Sequence, residues 1–354
     1  MEAYRAFTMI DLIGNDQIRT LIENEPLVFG RTWLFAGPRG VGKALFAKQW
    51  ALKKLRESSH GSQIANHPDL HIIKPAGKQA LHTMGQLRQV GEALHLPPSL
   101  SSFKVFIIED AERLPLICAN YLLKTLEEPP SDTLFILTTY DPGSLPQTIH
   151  SRSRTFHFHP ISVPEIESYL TAKGLAASSL ERSQGSLAKA ERLLSESSEE
   201  RREELQRVLG RLDELSLSEI IEISEYLQRT VQNGAKSRRE KLEARLLEEK
   251  ERLSAAQMEI QRGAIEGEVA LLEQALIDEL FEEILLYFRD QWALFHGAAP
   301  LCFLKAKKNE RKPLSFVTVE NLLIEAKNQL VYGISLALAL QRLFIEMEAL
   351  HQRS

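Results

Sequence analysis

The residues of this chain best suited to chemistry are Gly37, Gly40, Gly42 and Lys43, in the stretch LFAGPRGVGKA from Leu34 to Ala44. Glycines at those intervals let a backbone curl with its N–H groups pointing inward, and a lysine closing the curl reaches the outer phosphates of a nucleotide. A working loop of this kind continues with Ser or Thr, whose hydroxyl ligates Mg²⁺. Here that position is Ala44. A methyl group cannot ligate a cation, so the stretch keeps the phosphate cradle and lacks one metal ligand. The second landmark is Glu109–Asp110, closing the apolar run KVFIIED from Lys104 to Asp110. In a working site the first carboxylate holds Mg²⁺ through water and the second orients the water that attacks the γ-phosphate. The usual order is Asp then Glu. The inversion displaces both groups by about an ångström, the scale on which misplacement costs rate. The plainer alternative is that two carboxylates merely cap a strand. By composition, SRSR at Ser151 to Arg154 reads as a basic surface loop. The histidines lack ligand spacing and form no Ser-His-Asp arrangement, and Phe103 and Phe106 read as core.

These groups need elements to position them. Asn15 to Asn24 has the spacing of a short helix, with Asp16 where a carboxylate suits the helix dipole. The glycine loop falls between an apolar strand and a helix continuing through Ala44 to Lys54. Further strands are expected at Leu70 to Ile73, Lys104 to Asp110 and Thr133 to Thr138, and helices at Leu81 to Leu94 and Leu116 to Glu128. Continuous apolar strands alternating with helices predict a doubly wound parallel α/β sheet with its useful residues at the strands' carboxyl ends. The pattern changes after Pro160, and from the run Ser195 to Glu204 onward strand signals nearly vanish. Pro164 to Lys173 and Leu187 to Leu194 read as short amphipathic helices, and the Ser/Glu/Arg-rich run Ser195 to Glu204 reads as a boundary. Ser237 to Arg262 reads as one charged helix with a thin seam of Leu242, Leu246 and Leu253, and Glu248 stands four residues before Arg252 in the favourable order for an ion pair. Two more amphipathic stretches close the chain. The expected domains are an α/β core over 1–160, a helical lid over 161–200 and an all-α region over 201–354.

Composition narrows the function classes. At 354 residues the chain is expected to hold two or three domains, and 44% hydrophobic and 26% charged residues are globular proportions. A formal charge of -5 argues against holding nucleic acid by bulk electrostatics. Two cysteines, Cys118 and Cys302, lie far apart in apolar contexts, which fits a reducing compartment and provides no zinc cluster. The start MEAYRAFTMID does not read as a signal peptide, and the longest uncharged apolar run, Leu330 to Leu340, is too short to cross a bilayer. A cytoplasmic protein without membrane attachment is expected.

Several motifs together resemble a known family. NYLLKTLEEPP (Asn120 to Pro130), LTTYDP (Leu137 to Pro142), the Ser151-Arg152 pair, HPDL from His67 and IGNDQ (Ile13 to Gln17) are similar to the AAA+ core of bacterial DNA polymerase III clamp-loader subunits. The resemblance covers about the first 195 residues, with weaker echoes of the collar domain in YFRDQWAL (Tyr287 to Leu294) and ISLALALQRLFIEM (Ile334 to Met347). It implies an AAA+ P-loop fold, a small helical lid and a helical collar. It also implies as partners the gamma/tau-like and delta-like loader subunits and, through the complex, the sliding clamp and primed DNA. Some members of the family hydrolyse ATP and others serve mainly as rigid partners. Ala44 and Ala188, the latter where the lid motif GSLAKA (Gly185 to Ala190) would carry a sensor arginine, imply the second kind. So does the inverted pair. The family's four-cysteine zinc module is missing from Ser58 to Asn66. No cofactor is then required, although Gly37, Gly40, Gly42, Lys43, Glu109 and Asp110 could still hold ATP or ADP weakly. The Ser-Arg-Cys motif corresponds to Arg152 followed by Ser153, which implies an arginine finger acting in trans on a neighbour's ATP site. A motor subunit of the same family is the alternative.

Overall fold

The computed structural model describes residues 13–26, 29–59, 67–127, 129–175, 180–194, 196–248, 254–299 and 313–352. These form two compact units, one of residues 1–192 with 253–268 and the other of 193–252 with 269–354. The segment 60–66, most of the stretch expected to lack the zinc module, together with Cys302, Arg252 and Leu253, lies outside the described residues.

In the first unit α1 (Asp16–Glu23) precedes β1 (Arg31–Ala36) and α2 (Lys43–Ser58), followed by β2 (Leu70–Ile73), α3 (Met84–His95) and β3 (Lys104–Ile108). Then come α4 (Leu116–Glu127), β4 (Thr133–Thr139), α5 (Gln147–Arg152), β5 (Ser153–His157), α6 (Val163–Ala172) and α7 (Leu187–Leu193). The five strands form one sheet in the order β2-β3-β4-β1-β5, every neighbouring pair parallel. This is the α/β class expected from the apolar runs. Alternate residues face two helical layers. Trp33, Phe35, Val105, Ile107, Leu134, Ile136 and Phe156 pack with Phe46, Ala47, Trp50 and Leu55 of α2 and Ile22 of α1. Leu34, Phe106, Ile108, Phe135 and Leu137 pack on the other face with Leu87 and Val90 of α3, Cys118 and Leu122 of α4 and Ile149 of α5. Both β3 and β4 are buried throughout because helices cover both faces. Phe103 and Phe106 are core residues, as read.

Two buried charges tie the loops to this sheet. Lys104, at the start of β3, is 2% exposed and its ammonium donates to the carbonyls of Ala93, Leu94 and Leu96. It thereby caps the C-terminus of α3, where carbonyls lack helical partners and a cation suits the dipole. At the other end of α3, Thr83 and Gln86 form a capping box. Asp69, within the HPDL stretch, is also 2% exposed and accepts from the backbone N–H groups of Ser99, Leu100 and Ser101 and from the Ser101 hydroxyl. Burial alone would raise its pKa, but these donors outweigh burial and hold it below the ordinary carboxylate value. His67 turns inward beside it, its Nδ1 accepting from the Asp69 N–H at 3.2 Å.

The second unit contains α8 (Glu196–Leu209), α9 (Leu217–Glu248), the greater part of α10 (Ala255–Phe295), α11 (Phe316–Val331) and α12 (Leu336–His351). Its core joins Leu205, Leu227, Phe281, Ile284, Leu340 and Phe344. A buried ion pair, Arg201 to Glu283 at 3.5 Å, links α8 and α10. The charged stretch Ser237 to Arg262 is not one helix: it is the end of α9 and the start of α10. Ser254 starts the new helix, its N–H donating to the Gln257 side chain and its hydroxyl accepting from the Gln257 N–H. The first turns of α10, placed by sequence in the helical region, group instead with the first unit. Among the described residues no helix is long and apolar enough to cross a membrane.

Replacing Asp69 with Asn is expected to destabilise the first unit by about 3 kcal/mol, since buried N–H donors lose a charged acceptor. The depressed folded pKa means that this stability is present above the unfolded value and is lost as pH falls through the folded one. Urea midpoints measured from pH 7 down to pH 3 should therefore drop in the parent and fall less in Asp69→Asn; parallel curves would refute the role of the charge.

Candidate functional site

The site is built at the carboxyl ends of β1, β3 and β4. Phe35 packs on Phe46 of α2 and on Phe158 just past β5, ring centroids 5.9 and 5.2 Å apart. The loop 37–42 is thus strung between a fixed strand and a fixed helix. Gly37 donates its N–H to Thr139 O at 3.1 Å. Gly40 has φ +75°, and a Cβ there would run into Ser186 Oγ and come within 3.2 Å of Ala188 Cβ. Leu187 N donates to Gly40 O at 3.0 Å. The lid motif therefore rests directly on the phosphate loop, and the position expected to carry a sensor arginine faces Gly40 with a methyl group.

Lys43 is buried, and its ammonium donates to the carbonyls of Gly37 (2.7 Å) and Pro38 (2.6 Å). Burial lowers its pKa to about 8, with Asp110 and Glu112 pulling it back up and Arg39 pushing it further down. Arg39 itself lies 3.7 Å from the centroid of the Tyr140 ring.

The two carboxylates read as a pair part company. Asp110 turns into the left-handed region, φ +51°, with its N–H on Thr138 Oγ1 at 3.2 Å, and its charge bears on Lys43. Glu109 is instead met by Lys74, Nζ to Oε2 3.6 Å. Burial raises the pKa of Glu109, an effect that Lys74 partly offsets and Asp110 adds to. The carboxylate that joins Asp110 beside Lys43 is Glu112, which sequence reading did not single out; its pKa too is raised by burial, with the Thr139 hydroxyl acting the other way. Its only sequence signal is a third acid within four residues of Glu109. Beneath the turn, buried His82 contacts Glu109 O through Nε2 at 2.8 Å, and burial lowers its pKa.

Glycines seated where a Cβ would collide, followed by an inward lysine, fit a bound phosphate chain. Its accompanying Mg²⁺ is not matched in the same way. The residue after Lys43 presents a methyl, and Glu109, the carboxylate expected from sequence to hold the metal, has a lysine as its neighbour, while Asp110 and Glu112 stand beside Lys43.

Arg152 lies elsewhere. It ends α5, and the next residue, Ser153, pairs with Thr32 near the start of β1. Five residues separate Thr32 from Gly37, roughly 16 Å at a strand's rise per residue. The arginine and its own chain's phosphate loop therefore occupy opposite edges of the sheet. Its guanidinium bonds to Glu127 at 2.9 Å and to Thr148 O at 3.2 Å. Both charged side chains of that ion pair are more than a third exposed, so it contributes only about 0–1 kcal/mol and holds the arginine loosely. Within SRSR, Arg154 is instead engaged by Glu25.

Comparison with known proteins agrees with the motifs. The family model described as DNA polymerase III, delta subunit matches residues 17–162. The tau subunit of DNA polymerase III from Bacillus subtilis is 31% identical over 189 residues, 50% of this chain and 33% of that protein. The delta' subunit from the same organism is 32% identical over 149 residues, 39% of this chain and 40% of that protein. A solved gamma subunit-related protein from Thermotoga maritima aligns over 94% of this chain and 99% of its own with 18% identity and a TM-score of 0.44. The chain thus spans less than half the length of the two curated relatives named. The phosphate loop, the strand order and the 17–162 match agree with one another: over this first part the chain is similar to the tau and delta' subunits of DNA polymerase III.

Proposed function

We propose that this chain is a delta-prime-like subunit of a replicative clamp loader. In that role it is a largely non-hydrolysing stator that helps load a sliding clamp on primed DNA and supplies Arg152 to a neighbouring subunit's ATP site. The observation carrying the non-hydrolysing part is the lid contact at Gly40: Ala188 sits against the loop, and Ala44 follows Lys43, so methyls occupy both positions where a motor needs a charge or a hydroxyl. What remains is a loop able to hold ADP or ATP weakly through Gly37, Gly40, Gly42 and Lys43. The position of Arg152, on the sheet edge opposite that loop, supports a role in trans. A guanidinium stabilises charge developing on a transferring phosphoryl group, and its planar fork matches phosphate oxygens. Its partners are then gamma/tau-like and delta-like loader subunits, reached through the helices of the second unit, with clamp and DNA engaged by the assembly in the cytoplasm.

In a reconstituted loader, Arg152→Ala is expected to reduce turnover about 10³-fold at the neighbour's site. This would be read as loss of that site's share of clamp- and DNA-stimulated ATP hydrolysis. Arg152→Lys should restore little of it. Unchanged hydrolysis and clamp loading would overturn the assignment.

The purified chain should bind ADP weakly, with similar affinity with and without Mg²⁺, and show no turnover. Because the protonated form of Lys43 attracts phosphate and its pKa is about 8, affinity should decline as pH rises through 8, a decline Lys43→Met should abolish along with most binding. Tight Mg²⁺-dependent binding with turnover would identify a gamma/tau-like motor instead.

A further inference from the structure

The misfit between this site and a divalent cation has a structural origin outside the phosphate loop. Lys74 follows β2 and leads into the turn Pro75–Gly77, and contacts on both sides fix its backbone. Gln86, already part of the α3 capping box, donates its Nε2 to Lys74 O at 2.8 Å. Glu109 N donates to Ile73 O at 2.9 Å, which sets the end of β3 beside Lys74. Ala76 and Leu81 exchange backbone hydrogen bonds at 3.0 and 3.3 Å, closing the turn.

The remaining support comes from the start of α10. Gly77 N donates to Gly263 O at 2.9 Å. One turn further along the helix, Gly267 is buried under the same turn. A Cβ there would strike Pro75 O and lie 2.8 Å from Ala76 Cα, backbone atoms that cannot rotate aside. Glycine at 267 is what lets the helix lie flat on the segment carrying Lys74.

We propose that Lys74 is the built-in counter-ion of Glu109, so that the loop takes a nucleoside di- or triphosphate without a divalent cation, and that the first turns of α10 hold Lys74 in place. The proposal rests on the reading of the loop as a non-hydrolysing nucleotide site. An ammonium on a four-carbon stem carries a compact charge, and at Glu109 it neutralises a carboxylate that would otherwise be available to a divalent cation. Lys74 is thus a specificity-determining residue: it sets which form of the nucleotide is bound.

The experiment titrates the full-length chain with ADP, with and without Mg²⁺, in the parent, Lys74→Met and Gly267→Leu. Amide hydrogen exchange over 74–82 is followed in the same samples. The parent should give a ratio of affinities near one. Lys74→Met, a change at a half-exposed side chain, should raise the preference for Mg²⁺-ADP about tenfold, the scale of one partly solvated carboxylate–cation contact. Gly267→Leu should shift the ratio the same way and speed exchange over 74–82. If Gly267→Leu does not fold, Gly267→Ala serves, since even one methyl meets backbone there. A ratio unmoved by Lys74→Met, or no ADP binding in any variant, overturns the proposal. Exchange and ratio both unmoved by a folded Gly267 variant overturn the part assigned to α10. A parent that prefers Mg²⁺-ADP and turns over ATP refutes the non-hydrolysing reading instead, a result that Lys74→Met cannot produce.

Discussion

The central place of β1 in the sheet is the constraint on which the first unit depends. It is hydrogen-bonded to β4 on one side and β5 on the other, and its side chains Trp33, Leu34 and Phe35 are buried in both helical layers. A strand held on four sides cannot slide: a one-residue slip would send Trp33 and Phe35 to the face now taken by Leu34. That rigidity is transmitted to both of its ends. At the carboxyl end it fixes where the glycine loop begins. At the amino end, through the pairing of Thr32 with Ser153, it fixes where Arg152 ends its helix.

Lysines neutralise buried groups throughout this unit, each against a different partner. Lys104 caps the carbonyls of α3, Lys43 meets the carbonyls of its own loop, and Lys74 meets Glu109. In water such contacts would be worth little. Where the lysine is itself buried, as Lys104 and Lys43 are, the penalty for an uncompensated buried charge or carbonyl makes the contact structurally binding, whereas Lys74 is half-exposed. Asp69 mirrors them with the opposite sign, an anion surrounded by backbone donors, and fastens the 99–101 loop on which the start of β3 depends.

Much of this was legible in the sequence because the signals are local. Four apolar runs announced strands, and the glycine spacing announced the loop. The sites were legible only as far as locality reached. Glu109 and Asp110 read as a pair because they are adjacent. What separates them is the left-handed turn at Asp110 and a lysine thirty-five residues earlier, neither of which leaves a pattern in the run KVFIIED. The break between α9 and α10 did leave one, the Ser254-x-x-Gln257 box, but the continuous charged period around it masked the signal. Nor does the sequence announce that Gly263 and Gly267 serve the loop near Gly77, since both sit in a helix and gain their meaning from contacts nearly two hundred residues away.

The separation of Arg152 from the phosphate loop carries a geometric corollary. A molecule with a phosphate cradle on one edge and a guanidinium on the opposite edge has a direction. In two copies related by a two-fold axis every contact is returned, so an arginine reaching the other's cradle would be answered by the reciprocal contact and both groups would be used within one closed pair. A head-to-tail contact that repeats the same arginine-to-cradle pairing instead leaves a cradle at one end and an arginine at the other, and such contacts generate rings or helices rather than closed pairs. The polarity of any such head-to-tail array would be written in a single domain, by where its strands begin and end.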